Sequence, residues 1–378
     1  DIVDNPTAEA MRALLLSPER HLQGAWLLNL KSELEKRNSA KVEVDIVAIE
    51  HWGQSHFDAL EQSPWNVAVN RVSDASEPAV AKMALVIMRQ LELRGVPVIN
   101  PSSAYSLLMS KSGHHAVLRL AGVEMPESTF VNGLGLTANS SQALSLLTQA
   151  ADKFPLLYKP CAAAYAKGVV TMNDKAELEA FASQVQSFVN SPSALQVGPL
   201  GNDHTGFLQK FCAPDLGQYF RVFVLDGKFQ CAIKVVPRDE SGPGAAGAAG
   251  AVTSTCACSA DKTASSPLRF FAYTPTEEEA AEAVRILSQV AQADCGSVEF
   301  LLIEGKRLYF DVNLLSHLPV RDESSDTFPG FEDPEGLWSN RNFYAELAML
   351  CLSRGRSRQS QPAHPPAQRQ TAGTCVVS

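Results

Sequence analysis

The stretch with the most chemical content is Ser297-Val298-Glu299-Phe300-Leu301-Leu302-Ile303, followed by Arg307-Leu308-Tyr309-Phe310-Asp311-Val312-Asn313. Both halves read as strands of one hairpin. Residues two apart share a face, so Asp311 and Asn313 point together while Phe310 and Val312 point into a core. The turn decides whether Glu299 joins them. A two-residue turn at Glu304-Gly305 sets Glu299 opposite Phe310, on the wrong face. A three-residue turn, Glu304-Gly305-Lys306, sets it opposite Asp311 and is the expected one, because glycine suits the left-handed position of such loops. Two adjacent carboxylates repel each other. A hard cation such as Mg²⁺ would neutralise them, and it accepts carboxylate, amide and nucleotide-phosphate oxygens. A solvated polar face is the competing reading.

A second stretch, Phe154-Pro155-Leu156-Leu157-Tyr158-Lys159-Pro160, is an apolar strand ending in lysine. Ala162-Ala163-Ala164 and Lys167-Gly168-Val169 follow. A strand with a lysine at its end, next to a loop of small residues, can lay backbone N–H groups on phosphates, and a solvated surface charge is the competing reading of the lysine.

The elements that must carry these residues alternate along the chain. Ser17-Pro18-Glu19 opens a helix, with Leu22, Trp26, Leu30 and Leu34 on one face. Strands at 42–46, 66–72 and 96–99, and a helix capped by Ser76 and stopped by Gly95, make a small α/β domain over residues 1–100. A second α/β piece spans 101–200, with helices at 103–120, 140–152 and 174–189 and strands at 128–131, 156–159 and 169–172. Residues 201–352 turn antiparallel, with strands at 207–211, 219–225 and 228–236. Asp226-Gly227 makes a two-residue hairpin turn there, and a helix over 276–293 precedes the last hairpin. The Gly/Ala/Pro-rich segment 239–268 reads as a flexible insertion. A helix at 344–352 closes the fold, and 353–378 reads as a disordered basic tail.

Composition bounds the function. The chain has 378 residues, 45% hydrophobic and 19% charged, which excludes wholesale disorder. A net charge of −9 argues against a general nucleic-acid binder. Four arginines and no acid lie in 353–378, so the rest carries −13. No apolar run approaches the roughly 20 residues needed to span a bilayer. Eight scattered cysteines read as reduced thiols of a cytoplasmic protein.

Several short stretches, in this order, resemble the ATP-grasp superfamily. They are Val69-Asn70-Arg71, Val98-Ile99-Asn100-Pro101, Lys111, Gly122–Pro126, Phe154–Pro160, Lys167-Gly168-Val169, Phe207–Phe211, Arg221–Val224, Asp226-Gly227-Lys228 and Glu299 through Asn313. The resemblance runs from about Asn66 to Pro319 and is nearest the branch of ribosomal-protein-S6 glutamate ligase-like enzymes and glutathione synthetases. It implies an α/β (α+β) ATP-grasp fold. A small N-terminal α/β domain would precede a central lid-like α/β subdomain and a C-terminal antiparallel-sheet subdomain. Lys111, Lys159 and Lys167 then hold ATP phosphates. Gln209, Lys210, Phe211 and Cys212 form the adenine hinge, and Asp215 is the candidate for the ribose. Glu299, Asp311 and Asn313 are the Mg²⁺ (or Mn²⁺) ligands. Arg221, Lys234 and Arg238 hold the substrate carboxylate and the transferring phosphoryl group, and Arg71 lines the acceptor side.

The implied activity is an ADP-forming carboxylate–amine ligase working through an acylphosphate. Its partners are a small carboxylate and an amine, an amino acid or peptide, and not nucleic acid. A kinase resembling inositol polyphosphate kinases is the alternative. A non-catalytic ATP-binding module is another, suggested by alanines where the family has loop glycines. Cys375-Val376-Val377-Ser378 matches a prenylation box, with Cys375 the lipidated residue and upstream arginines giving weak membrane association.

Overall fold

The computed structural model describes residues 10–36, 42–62, 65–73, 76–137, 139–150, 153–161, 168–189, 205–237, 268–314, 331–338 and 341–359. Lys167, Arg238, Cys375 and nearly all of the expected insertion lie outside these residues.

The first sheet is parallel, with strand order β2-β1-β3-β4. Its strands are β1 (Met11–Ser17), β2 (Val42–Ala48), β3 (Val67–Asn70) and β4 (Val98–Ile99). Sequence reading missed β1, the buried run that pairs with both β2 and β3. A short unbroken apolar run has no period to betray its conformation. Helix α1 (Ala25–Lys36) begins only after Gly24, so the expected start at Ser17 is instead the end of a strand. Between β2 and β4 come α2 (Gln54–Gln62) and α3 (Pro78–Leu93). Pro78 opens α3 after Glu77, and Ser76 does not cap it. The expected helix over 103–120 is two helices, α4 (Ser102–Leu108) and α5 (Lys111–Leu120). The Ser110 hydroxyl caps the second and so places Lys111 at its first position.

The second sheet is antiparallel, in the order β5-β8-β6-β7, with α6 (Ser140–Ala150) and α7 (Lys175–Val189) packed on it. Its strands are β5 (Ser128–Val131), β6 (Leu156–Pro160), β7 (Val170–Met172) and β8 (Gly206–Lys210). Strand β8, expected with the C-terminal strands, pairs with β5 and β6 instead.

The third sheet, also antiparallel, runs β11-β10-β9-β12-β13. Its strands are β9 (Tyr219–Leu225), β10 (Lys228–Pro237), β11 (Leu268–Tyr273), β12 (Cys295–Ile303) and β13 (Lys306–Asn313). One face packs Val222, Val298, Phe300 and Val312 against α8 (Glu277–Val284) and the π-helical turn Arg285–Val290 that continues it. A capping box between Thr276 and Glu279 starts α8.

Helix α9 (Phe343–Gln359) lies on the first sheet and on α1, burying Tyr344, Leu347 and Cys351 there. It passes the expected end at residue 352, and the disorder expected from 353 does not hold for 353–359. Arg354 pairs with Asp294, and Arg358 donates to the Trp65 carbonyl, which anchors this last segment. Asn100 ties the first sheet to the third. Its amide donates to the Leu314 carbonyl at 3.3 Å and its oxygen accepts from the Cys295 N–H at 2.8 Å. Among the described residues no disulfide forms, and no helix is long and apolar enough to cross a membrane.

Candidate active site

The last hairpin closes through two residues, Glu304 and Gly305, at φ 51° and 76°. The expected three-residue turn is therefore wrong, yet Glu299 still pairs with Asp311. A β-bulge restores the register: Phe300 pairs with Tyr309, and the next pair is Glu299 with Asp311, so Phe310 is the extra residue. The bulge also turns Phe310 out of its expected core. It packs against Tyr219 on the site side, with the Lys159 ammonium 5.1 Å from its ring.

Strand β9 continues the row, because Arg221 pairs with Glu299. Directly paired residues share a face, so Arg221, Glu299 and Asp311 stand side by side. Arg221 Nη2 lies 2.5 Å from Glu299 Oε1, and Asn313 Nδ2 donates to the same oxygen at 2.9 Å. The pair is nearly enclosed, with Arg221 11% and Glu299 6% exposed. Desolvation makes such a charge costly unless it is paired.

Helix α5 supplies the opposite wall. Lys111 Nζ lies 3.4 Å from both oxygens of Asp311. His114, one turn on, places Nδ1 2.5 Å from Asp311 Oδ1. Its Nε2 donates to the Leu108 carbonyl at 3.0 Å. Gly113 makes this possible, since a Cβ there would sit 1.6 Å from the Leu107 carbonyl oxygen. Burial alone would raise the Asp311 carboxyl, but Lys111, His114 and Lys159 outweigh it and hold it well below the usual carboxylate range. The Lys111 N–H also donates to the Cys161 carbonyl, fastening α5 to the end of β6. That brings Lys159 near. Burial and the neighbouring Lys111 lower its ammonium to about 8, against the pull of Asp311 and Glu299.

Three sequence-predicted residues meet a different fate. Lys234 is on the wrong face. It pairs with Phe220 in β9 and stands 5.3 Å from the Phe271 ring, while Cys231, Ile233 and Val235 take the site side. A strand alternates faces at every residue, so Lys234 cannot join Arg221. Asp215 accepts from the N–H groups of Glu304 and Gly305, both at 3.1 Å, and so braces the hairpin turn. Arg71 is 8% exposed and sits over Trp26 at 4.9 Å. The hinge residues lie where the second sheet passes into the third. Gln209 Nε2 donates to Ser128 Oγ, the Lys210 N–H to the Glu127 carbonyl, and the Phe211 N–H to the Pro155 carbonyl. Burial raises the Cys212 thiol.

Glu299, Asp311 and Asn313 offer only oxygen donors to a metal, which suits a hard cation. Asn313 turns its amide nitrogen to Glu299, which directs its oxygen elsewhere. Among the described residues no three carboxylate, thiolate or imidazole side chains converge as a metal cage. A cation here would need ligand oxygens as well, which is how Mg²⁺ is commonly held.

No protein-family model and no curated protein sequence matches the chain. Solved structures do match its fold. The ATP-grasp ligase PsnB complexed with a minimal precursor aligns over 92% of this chain and 100% of its own, at 12% identity and a TM-score of 0.56. D-alanine–D-alanine ligase from Bacillus anthracis aligns over 93% and 99%, at 15% identity and a TM-score of 0.57. The VanG D-Ala:D-Ser ligase from Enterococcus faecalis aligns over 92% and 100%, at 12% identity and a TM-score of 0.59. This chain has the ATP-grasp fold.

In ATP-grasp terms the site lies between the second and third sheets. Lys159 comes from one and Arg221, Glu299, Asp311 and Asn313 from the other, with α5 bridging them. The arrangement sets Lys111, Lys159 and Arg221 around two carboxylates, and His114 adds a fourth nitrogen base. His114 is the contact that sequence reading missed. Its signal was the i, i+3 spacing from Lys111, which puts both on one helix face.

Proposed function

We propose that this protein is an ATP-dependent carboxylate–amine ligase that forms an amide or peptide bond. The observation that carries the reading is the meeting of Lys111, Lys159 and Arg221 with Glu299, Asp311 and Asn313 between two sheets. Cations in excess of nearby anions favour a polyanionic ligand, and ATP supplies one. Lys111 and Lys159 hold phosphate oxygens, and the hinge from Gln209 to Cys212 receives the base. Asp215, engaged by the hairpin turn, acts mainly as a brace. Glu299, Asp311 and Asn313 hold Mg²⁺ or Mn²⁺, which when bound neutralises phosphate charge.

A carboxylate is a poor electrophile. Transfer of the γ-phosphoryl group makes it an acylphosphate, which the amine attacks with loss of phosphate. This chain's part is to position the reactants and balance charge, so no nucleophilic side chain is required. Arg221 orients the substrate carboxylate or the transferring group. Arg238 and Lys167 complete the set in the sequence-based reading. The acceptor is an amino acid or a peptide, and Arg71, packed over Trp26, acts on that side only as part of the surrounding wall. The buried thiols favour a reducing, cytoplasmic setting, and lipidation of Cys375 is the proposed source of weak membrane association. Mass spectrometry of the native protein tests that last point, and an unmodified Cys375 removes it.

The deciding assay incubates the full chain with Mg²⁺-ATP and pools of amino acids and peptides. ADP and phosphate released together, only in the presence of both a carboxylate and an amine, are expected. ADP without free phosphate would mean a kinase, and no turnover with tight ATP binding would mean a binding module.

A further inference from the structure

His114 is one of the buried residues of helix α5, with Gly113, Val117 and Leu118, and is 2% exposed. A polar ring in such a place costs desolvation energy unless both nitrogens are bonded. Here both are. Nε2 is fixed to the Leu108 carbonyl at the break between α4 and α5, and Nδ1 faces Asp311 Oδ1 at 2.5 Å. The two nitrogen groups at Asp311 act differently. Lys111 lies 3.4 Å from each oxygen and so does not distinguish them. His114 selects Oδ1. Lys111 also sits on a flexible stem and can swing towards phosphate, whereas the histidine ring is pinned at both ends.

We propose that His114 is a positioning residue. By holding Oδ1 it fixes the Asp311 rotamer and presents Oδ2 to a divalent cation that arrives with nucleotide. The inference rests on the metal site of the ligase reading and adds to it a residue outside the ligand set. Outer partners of this kind typically change metal affinity by about 10–100-fold.

Two variants of the full chain separate this role from simple packing. His114→Asn keeps an amide nitrogen at the place of Nδ1, towards Asp311. His114→Gln puts its amide nearer Nε2, towards Leu108. ADP binding is measured by calorimetry with Mg²⁺ and with EDTA, Mn²⁺ binding in the presence of ADP by electron paramagnetic resonance, and melting temperature alongside. The expected result is that Gln loses about tenfold or more of the metal-dependent affinity. ADP binding in EDTA should stay within about twofold, and Asn should retain most of the metal effect. Equal losses in both variants, no loss in either, or loss in Asn alone overturns the proposal. A wild-type protein whose ADP affinity ignores Mg²⁺ overturns the metal-site reading itself, and His114's role with it.

Discussion

The two faces of the third sheet are built from neighbouring residues, and each buries an apolar cluster, but one also gathers the charge of the candidate site. On one, Phe220 stacks on Phe300 at 5.1 Å, Tyr309 completes the aromatic cluster, and the π-helical turn after α8 seals it. On the other stand Arg221 and Glu299, one residue from Phe220 and Phe300, and Asp311, two residues from Tyr309. The first face is apolar and tightly packed, so it sets stability. The second has its own apolar cluster, including Phe223, Ile233 and Val235, and beside it collects buried charge, which is costly to assemble and is justified only by pairing or by a ligand. Alternation divides the faces along β9 and β12, and in β13 it takes the bulge at Phe310 to carry Asp311 to the face opposite Tyr309.

The sharpest test of that division is Phe300→Ala. It should cost about 3–5 kcal/mol in denaturant unfolding, while the folded protein still binds ADP normally. Equal damage to binding would show that the faces are not independent. Next is the Arg221–Glu299 pair. Arg221→Met or Glu299→Gln alone should cost about 3 kcal/mol, the lower end for a buried pair because a little solvent reaches it. The double variant should cost less than the sum, and a double-mutant cycle measures the difference. Asp311→Asn should lower ATP turnover by about 100-fold or more per folded molecule, read as ADP release. Lys159 should give a smaller effect that depends on pH. Its charge is lost as pH rises through about 8, so metal-free ADP should bind less tightly at high pH than at neutral pH. The neutral amine is the nucleophile, so acylation of Lys159 should rise over the same range, and ATP should suppress it. Smallest is Lys234→Ala, on the packed face, which should change turnover by less than about twofold. A large loss would mean that its cation reaches the site after all.

Several of the residues that meet at the candidate site stood out before the fold. Glu299, Asp311, Asn313 and Lys159 stand out because carboxylates, an amide and a lysine interrupt otherwise apolar strands. Lys111 and Arg221 entered through resemblance, and the structure brings Lys111 to Asp311 and Arg221 to Glu299. Lys234 did not survive, because β10 carries its own irregularity between Phe229 and Cys231, and one residue of phase exchanges the faces. Asp215 was read as a ligand-facing acid, but a carboxylate that caps two turn amides looks the same in sequence. His114 was overlooked because its spacing from Lys111 sets both on one helix face but does not say whether that face is buried and bonded or exposed.

The sequence by itself determined which chemistry was available and, through alternation and turn residues, which side chains share a strand face. Val42–Ala48, Tyr219–Leu225 and the Thr276 cap follow from local pattern, since period and capping are properties of neighbouring residues. Only the tertiary structure decided that β8 belongs to the second sheet, that Met11–Ser17 is a central strand, and that a two-residue turn with a bulge pairs Glu299 with Asp311. It also decided that α5 brings Lys111 and His114 to a carboxylate some 200 positions away. Those outcomes depend on which surfaces bury one another, and long-range burial leaves no trace in the spacing of adjacent residues.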